Sequence, residues 1–245
     1  MNVNPVNSHE SRKIQRLDVE TPLGVVHLAA FEQKPDHRSV IFGILSSFCE
    51  ESVTADDLEE SKEDPRPRFP KLDFDVNWTH SNGFCVVAFG ERGSSGKLRI
   101  GVDLERYSPK RLHLAERFFS EEEALLVKSL MEPSTAVLSA AASSAAGDAS
   151  GASPAEREFF RLWCRKEAYY KCVGGDFFEG TLRRNMLRSP LKVCTVNAGI
   201  EKSPAESAGD SLEVHFVDLD GAAVGAPMKA ALCLAVSESY PKSKI

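Results

Sequence analysis

Asp103 and Glu105 stand two residues apart in a stretch where Leu98, Ile100, Val102 and Leu104 alternate with Lys97, Arg99, Gly101, Asp103 and Glu105. Period-two alternation predicts a strand over 97–105, with one wholly apolar face. Both carboxylates then leave the other face, about 6.6–7 Å apart along the backbone. Two like charges so placed repel unless a cation sits between them. Mg²⁺ suits them, because it takes oxygen ligands, commonly one or two carboxylates plus substrate phosphates. On spacing alone the solvated outer face of an edge strand is the favoured reading, since alternating charge on strands is ordinary.

A second set lies in Phe159–Lys171, where Trp163, Glu167 and Lys171 follow one another at i, i+4 and share one helical stripe. Glu167 can serve as a third carboxylate for a metal or as a base, and Lys171 can meet a phosphate as a point charge. The plain alternative is a surface Glu–Lys pair worth roughly 0.2–0.5 kcal/mol. The flanking Phe, Trp and Tyr residues weaken it, because so aromatic a helix is packed around much of its circumference. The third set is Thr79-His80-Ser81, read as part of a polar turn, Thr79 to Gly83. Two hydroxyls and an imidazole can donate several hydrogen bonds to a phosphate, but such residues are also common loop formers. Gly93-Ser94-Ser95-Gly96-Lys97 imitates a phosphate loop and fails its pattern: Glu91 stands where the first glycine belongs, and Leu98 where Ser or Thr is needed.

These residues need elements to hold them. Residues 1–13 are polar, with the composition of a disordered terminus. Ile14–Ala30 reads as strand, turn at Thr21–Gly24, strand; His37–Phe48 reads as a helix. Residues 50–71 are charged and proline-bearing, a surface connection. Short strands are expected at Phe74–Trp78 and Phe84–Phe89. After the acidic strand, Leu112–Leu130 is helical with a break near Ser120, where Ser120 and Glu123 form a capping-box pattern. Of the 23 residues 133–155, 19 are Ala, Ser, Gly or Pro, too little side chain to bury, so a flexible insert is expected. Ser153-Pro154-Ala155-Glu156 starts a helix that stops at Gly174-Gly175. Strands are expected near Leu191–Val196, Leu212–Leu219 and Met228–Val236. The arrangement is α+β.

The whole chain has 245 residues, a formal net charge of −6 and 27% charged residues. It lacks the basic excess of a nucleic-acid-coating protein and any apolar run long enough to span a bilayer. The first residues carry no signal-peptide pattern. The six cysteines form no Cys-x-x-Cys pair, which argues against a zinc ribbon and for a cytoplasmic protein with reduced thiols.

Taken in order, Asn77-Trp78-Thr79-His80-Ser81, Gly101-Val102-Asp103-Leu104-Glu105 and Trp163-Cys164-Arg165-Lys166-Glu167-Ala168-Tyr169-Tyr170-Lys171 resemble the motifs of the 4′-phosphopantetheinyl transferase superfamily. Arg117-Phe118-Phe119-Ser120 lies where that family has a similar sequence. The length is similar to the Sfp-like class. The resemblance implies a pseudo-dimer of two similar α+β lobes, 14–95 and 96–245, with the active site and coenzyme A in the cleft between them. It implies Mg²⁺-dependent transfer of the phosphopantetheine arm of coenzyme A to a serine of an acyl or peptidyl carrier protein. Adenosine 3′,5′-bisphosphate is the other product. By resemblance Asp103, Glu105 and Glu167 hold the metal and Glu167, directly or through a metal-bound water, is the base. Lys171 stabilises pyrophosphate charge, and Lys166 assists or pairs locally. His80, with Thr79 or Ser81, holds coenzyme A phosphates.

The sequence departs from the family in places. Thr79 replaces a serine, Val76 an aromatic, and the Gly-Lys-Pro segment before the Asn turn is absent, with Asp64–Lys71 in its place. The first lobe's basic set is thin (Lys34, His37, Arg38), which leaves Arg38, Arg66 and Arg68 as candidates for the nucleotide. Arg106, Lys110, Arg111 and Arg117 can meet an acidic carrier helix or form an ordinary solvated patch. The implied protein is a monomer that binds neither nucleic acid nor membrane. Two other readings stay open: a non-catalytic coenzyme A-binding relative, and an unrelated Mg²⁺-dependent phosphohydrolase using the same three acids.

Overall fold

The computed structural model describes residues 14–33, 35–60, 66–92, 98–131, 151–194, 211–226 and 230–238. The expectations for residues 1–13, for Lys34, for the 93–97 turn and for most of the 133–155 insert lie outside them. Two four-stranded antiparallel sheets form the centre. The first contains β1 (Gln15–Thr21), β2 (Gly24–Glu32), β3 (Phe74–Ser81) and β4 (Phe84–Glu91), in the order β1-β2-β4-β3. The second contains β5 (Leu98–Arg106), β6 (Leu191–Cys194), β7 (Ser211–Asp220) and β8 (Ala230–Glu238), in the order β5-β8-β7-β6.

Apolar faces decide the layering. Val26, Leu28, Val86 and Ala88 from the first sheet meet Leu98, Ile100, Val102, Leu232 and Leu234 from the second in one core between the sheets. The opposite face of the first sheet packs on α1 (His37–Cys49) through Ile41, Ile44 and Leu45. The opposite face of the second packs on α2 (Leu114–Phe118), α3 (Glu121–Met131) and α4 (Pro154–Val173). The result is helix, sheet, sheet, helix. Strands buried on both faces cannot alternate in polarity, and β4 and β8 are buried along all but their last residue.

α4 begins as its sequence dictates. Ser153 accepts from the Glu156 amide while Glu156 accepts from the Ser153 amide and hydroxyl, and Pro154 occupies the first turn. The helix stops at Gly174, φ 86°. The break between α2 and α3 falls at Phe119-Ser120, where the Glu123 carboxylate accepts from the Ser120 amide and hydroxyl.

Two expectations need correction. Thr79, His80 and Ser81 do not form a turn: they belong to β3, and the turn is only Asn82-Gly83, φ 53° and 79°. That pair suffices for a two-residue hairpin of the primed type, which requires positive φ at both positions. Residues 50–71 also do more than cross the surface, because Val53 and Phe69 are buried in the first sheet's helix-side core.

β5 lies at the edge of its sheet, yet its second face is not solvated, because α4 covers it. The approach is so close that a Cβ on Gly101 would stand 2.0 Å from the Ala168 carbonyl oxygen and 2.6 Å from the Cys172 amide nitrogen. Both obstacles are backbone, so neither can rotate away. Gly101→Ala is expected to cost about 3 kcal/mol, the upper part of the overpacking range, read as a lowered denaturation midpoint in urea. An unchanged midpoint would show that α4 does not sit this tightly on β5.

Candidate active site

The edge strands β3 and β5 lie side by side, and side chains join them. Asp75, Asn77 and Thr79 alternate along β3 and point at β5. Asp75 accepts from the Ile100 amide at 2.8 Å, Asn77 Oδ1 from the Val102 amide at 3.3 Å, and the Thr79 hydroxyl donates to Asp103 Oδ1 at 3.1 Å. Side chains thus take the place of a backbone ladder across the seam. Val76 and Trp78 face the α1 side instead, and so by alternation does His80. Thr79 and His80 therefore occupy opposite faces of β3, with Thr79 buried and His80 exposed. The His80 ring meets His37 of α1 edge-on, with centroids 6.1 Å apart.

Asp103 is the centre of the seam. It is 5% exposed. The Lys171 ammonium of α4 donates to its Oδ1 at 2.7 Å, to the Val102 carbonyl at 3.1 Å and to Thr79 Oγ1 at 3.3 Å. β3, β5 and α4 thus meet in a Thr79–Asp103–Lys171 cluster drawn from both sheets. Burial pushes the Lys171 ammonium down, but the charges of Asp103 and Glu167 outweigh it and hold the group charged. Glu105 follows on the same face as Asp103 and pairs with Arg111 at 3.1 Å. Burial, and after it the Asp103 charge, pushes its carboxyl up.

Glu167 sits one turn before Lys171. Burial pushes its carboxyl up to about 7; Asp103 and Glu105 add to the rise while Lys171 opposes it. A group of this kind can exchange a proton near neutral pH. The sign of its effect on stability follows from linkage. The folded chain keeps the Glu167 proton above the ordinary glutamate value of 4.5, where the unfolded chain releases it. Stability is therefore lost as the pH rises from about 4.5 through about 7. Glu167→Gln, which stays neutral, should leave the melting temperature unchanged at pH 4 and raise it above that of the native chain at pH 8, in chelator. A difference independent of pH would contradict the buried, protonated carboxyl.

The donor set fits a hard divalent cation. Carboxylates accept only, and Asp103 Oδ2 is buried with no donor among the described residues, while the neighbouring Cys164 thiol is turned toward the Ala231 carbonyl. Among the described residues no three acidic, histidine or cysteine side chains are already closed into a metal-holding group. The Lys171 ammonium stands against Asp103 in their midst.

Beside Lys171 opens a cavity of about 580 Å³, lined among others by Arg38, Arg66, Asn77, Trp78, Tyr170 and Lys171. The Arg38 guanidinium forks onto Glu60 at 2.9 and 3.2 Å. Arg66 donates to the Cys172 carbonyl at 3.0 Å, at the C-terminal end of α4.

Lys166 does not join this group. It is fully buried, with Nζ 2.7 Å from Glu123 Oε2 and a second bond to the Arg184 carbonyl, so it takes the local pairing of its two sequence readings. Burial lowers its ammonium to about 8 against the pull of Glu123. Arg68 lines a different cavity, next to Asp75. Ser81 is half-buried at the end of β3. Three residues have roles beyond those read from the sequence: Asp75, Gly101 and Glu123. Asp75 carries the same alternation as Asn77 and Thr79 and was legible from it. The part Gly101 plays follows only from the α4 approach, and the partnership of Glu123 with Lys166 only from the tertiary fold.

A buried carboxylate–lysine centre thus lies at the seam of two antiparallel sheets, beside an arginine-bearing cavity. Comparison with known proteins names the class. Residues 99–217 match the model of the 4′-phosphopantetheinyl transferase superfamily, and this stretch of the chain is similar to that superfamily. It holds both Gly101–Glu105 and Trp163–Lys171. A 111-residue stretch is 29% identical to the 4′-phosphopantetheinyl transferase gsp of Aneurinibacillus migulanus, covering 44% of this chain and 36% of that protein. The matched stretch thus spans about a third of the relative's length.

Proposed function

We propose that the protein transfers the 4′-phosphopantetheine arm of coenzyme A to a serine hydroxyl of an acyl or peptidyl carrier protein, with Mg²⁺, releasing adenosine 3′,5′-bisphosphate. The observation that carries the reading is the convergence of Asp103, Glu105, Glu167 and Lys171, in the spacing of the superfamily, beside the Arg38–Arg66 cavity. The serine oxygen attacks the β-phosphorus of a pyrophosphate that is already negative. A divalent cation on Asp103, Glu105 and Glu167 supplies charge neutralisation there. Glu167 is the residue assigned to take the serine proton. Lys171 stands where it can compensate pyrophosphate charge. His80, on the α1 side of β3, and Arg38 and Arg66, in the cavity, are assigned to the nucleotide phosphates.

The two sheets, each backed by helices on its outer face, support a two-lobe pseudo-dimer of the Sfp-like class divided between 14–95 and 96–245. The lobes differ in strand order, so the kinship lies in layers rather than in connectivity. No helix among the described residues is long and apolar enough to cross a membrane. We assign the enzyme to the cytoplasm, as a monomer.

Arg66→Gln and His80→Ala are each expected to weaken coenzyme A binding roughly tenfold, the loss of one charge-assisted hydrogen bond. The check is calorimetric titration of coenzyme A, and unchanged affinity in both variants would remove the nucleotide from this cavity. The activity itself is tested by chromatography of the small molecules. Adenosine 3′,5′-bisphosphate should appear only when coenzyme A, Mg²⁺ and an apo carrier protein are all present. Its release without carrier would identify a phosphohydrolase, and binding without release a non-catalytic relative.

A further inference from the structure

The Thr79 hydroxyl stands where β3, β5 and α4 meet. Thr79 is 6% exposed. Its hydroxyl donates to Asp103 Oδ1 at 3.1 Å and accepts from the Lys171 ammonium at 3.3 Å. Lys171 donates to the same Oδ1 at 2.7 Å. Both donors thus meet one oxygen of Asp103, and the other, Oδ2, is buried with no donor among the described residues. A carboxylate turns about a broad, two-fold torsion, so a single donor leaves its rotation loosely set. A hydroxyl from β3 and an ammonium from α4 converging on Oδ1 fix it. Thr79 is β-branched, which restricts its own χ1 and keeps the hydroxyl aimed.

A hydroxyl has one proton to donate. Thr79 spends it on Asp103, so it has none for a phosphate oxygen. Its neighbours Asn77 and Trp78 line the cavity beside Lys171, and Thr79 does not. His80, next in sequence, lies on the opposite face of β3 and is exposed.

We propose that Thr79 is a positioning residue for a divalent cation rather than a ligand of coenzyme A: it turns Asp103 so that Oδ1 meets Lys171 and Oδ2 is left for the metal. The inference rests on the transferase reading for the presence of a cation at Asp103. Adjacent residues of one strand then serve different partners, Thr79 the metal and His80 the nucleotide.

Mn²⁺ takes the oxygen ligands that Mg²⁺ takes, and its unbound form is measured by electron paramagnetic resonance. Titrated into the full chain, it should bind Thr79→Val about tenfold more weakly than the native chain, the lower end of the loss when a residue that orients a metal ligand is removed. Lys171 keeps Asp103 and the Val102 carbonyl in that variant, so no charge is stranded. Thr79→Ser retains the hydroxyl and should bind Mn²⁺ as the native chain does. Coenzyme A, titrated calorimetrically in chelator, should bind both variants with native affinity. His80→Ala should show the reverse, weakened coenzyme A and native Mn²⁺ affinity. A merely structural role for Thr79 would move both affinities or neither. If Thr79→Val fails to fold, Thr79→Ala carries the comparison. Equal Mn²⁺ affinity with and without the hydroxyl, or a loss of coenzyme A affinity in Thr79→Val, would overturn the proposal and leave the transferase reading standing. No Mn²⁺ binding by the native chain would overturn the proposal together with the metal site. The expected Mn²⁺ pattern without carrier loading would support the positioning role and overturn the transferase reading alone.

Discussion

Asp103→Asn is expected to lower carrier loading by roughly a thousandfold, the upper end of what one preorganised charge contributes in a water-excluded site. The substitution is nearly isosteric. It keeps an acceptor for Thr79 and Lys171 but deletes the charge that holds the Lys171 ammonium and removes one of two carboxylate oxygens. The oxygen that matters most is Oδ2, buried and without a donor among the described residues. An orphaned carboxylate oxygen costs stability in the resting chain, and a cation is the partner that removes the cost. Asp103→Ala should be at least as inactive, but it also strands Lys171, so the Asn variant separates charge from packing. Loading is read from single-turnover kinetics and folding from circular dichroism. Native-like loading by a folded Asp103→Asn would remove Asp103 from the metal site.

Lys166→Ala is expected to cost about 3–5 kcal/mol in stability, the range for breaking a buried ion pair on one side. Lys166 and Glu123 are both fully buried. Glu123 also accepts from the Ser120 amide and hydroxyl and from the Met186 amide. Removing the lysine leaves that carboxylate charged beneath α3. Replacing both partners by apolar residues, Lys166→Met with Glu123→Leu, should recover most of the loss, because the desolvation of both charges disappears together. Urea denaturation of Lys166→Met, of Glu123→Leu and of the double variant gives the cycle. Additive losses would show that the two side chains do not interact.

How legible these features were depends on how local their causes are. α4 was legible from end to end, because Ser153, Pro154 and Glu156 cap it and Gly174 ends it within its own sequence. β5 was legible as a strand because its alternation matches the pleat, but its environment was not. That Asp103 is buried follows from α4 lying on Gly101, a contact between residues about seventy positions apart. The same distance problem hid the position of Lys166, which stands beside Glu167 in the motif yet turns to Glu123, 43 residues earlier. Thr79–Ser81 looked like a turn because hydroxyl and amide residues favour turns, whereas Asn82-Gly83 alone reverses the chain and frees Thr79 to reach Asp103. Side chains replacing a backbone ladder between β3 and β5 leave no local pattern beyond the alternation of Asp75, Asn77 and Thr79.

The most direct test of the transferase reading is the intact mass of an apo carrier protein after incubation with the full chain, coenzyme A and Mg²⁺. The predicted result is a carrier heavier by one phosphopantetheine on a single serine. The gain should be absent with chelator and with Asp103→Asn. A carrier of unchanged mass, tried across acyl and peptidyl carrier types while the protein remains folded, would contradict the account.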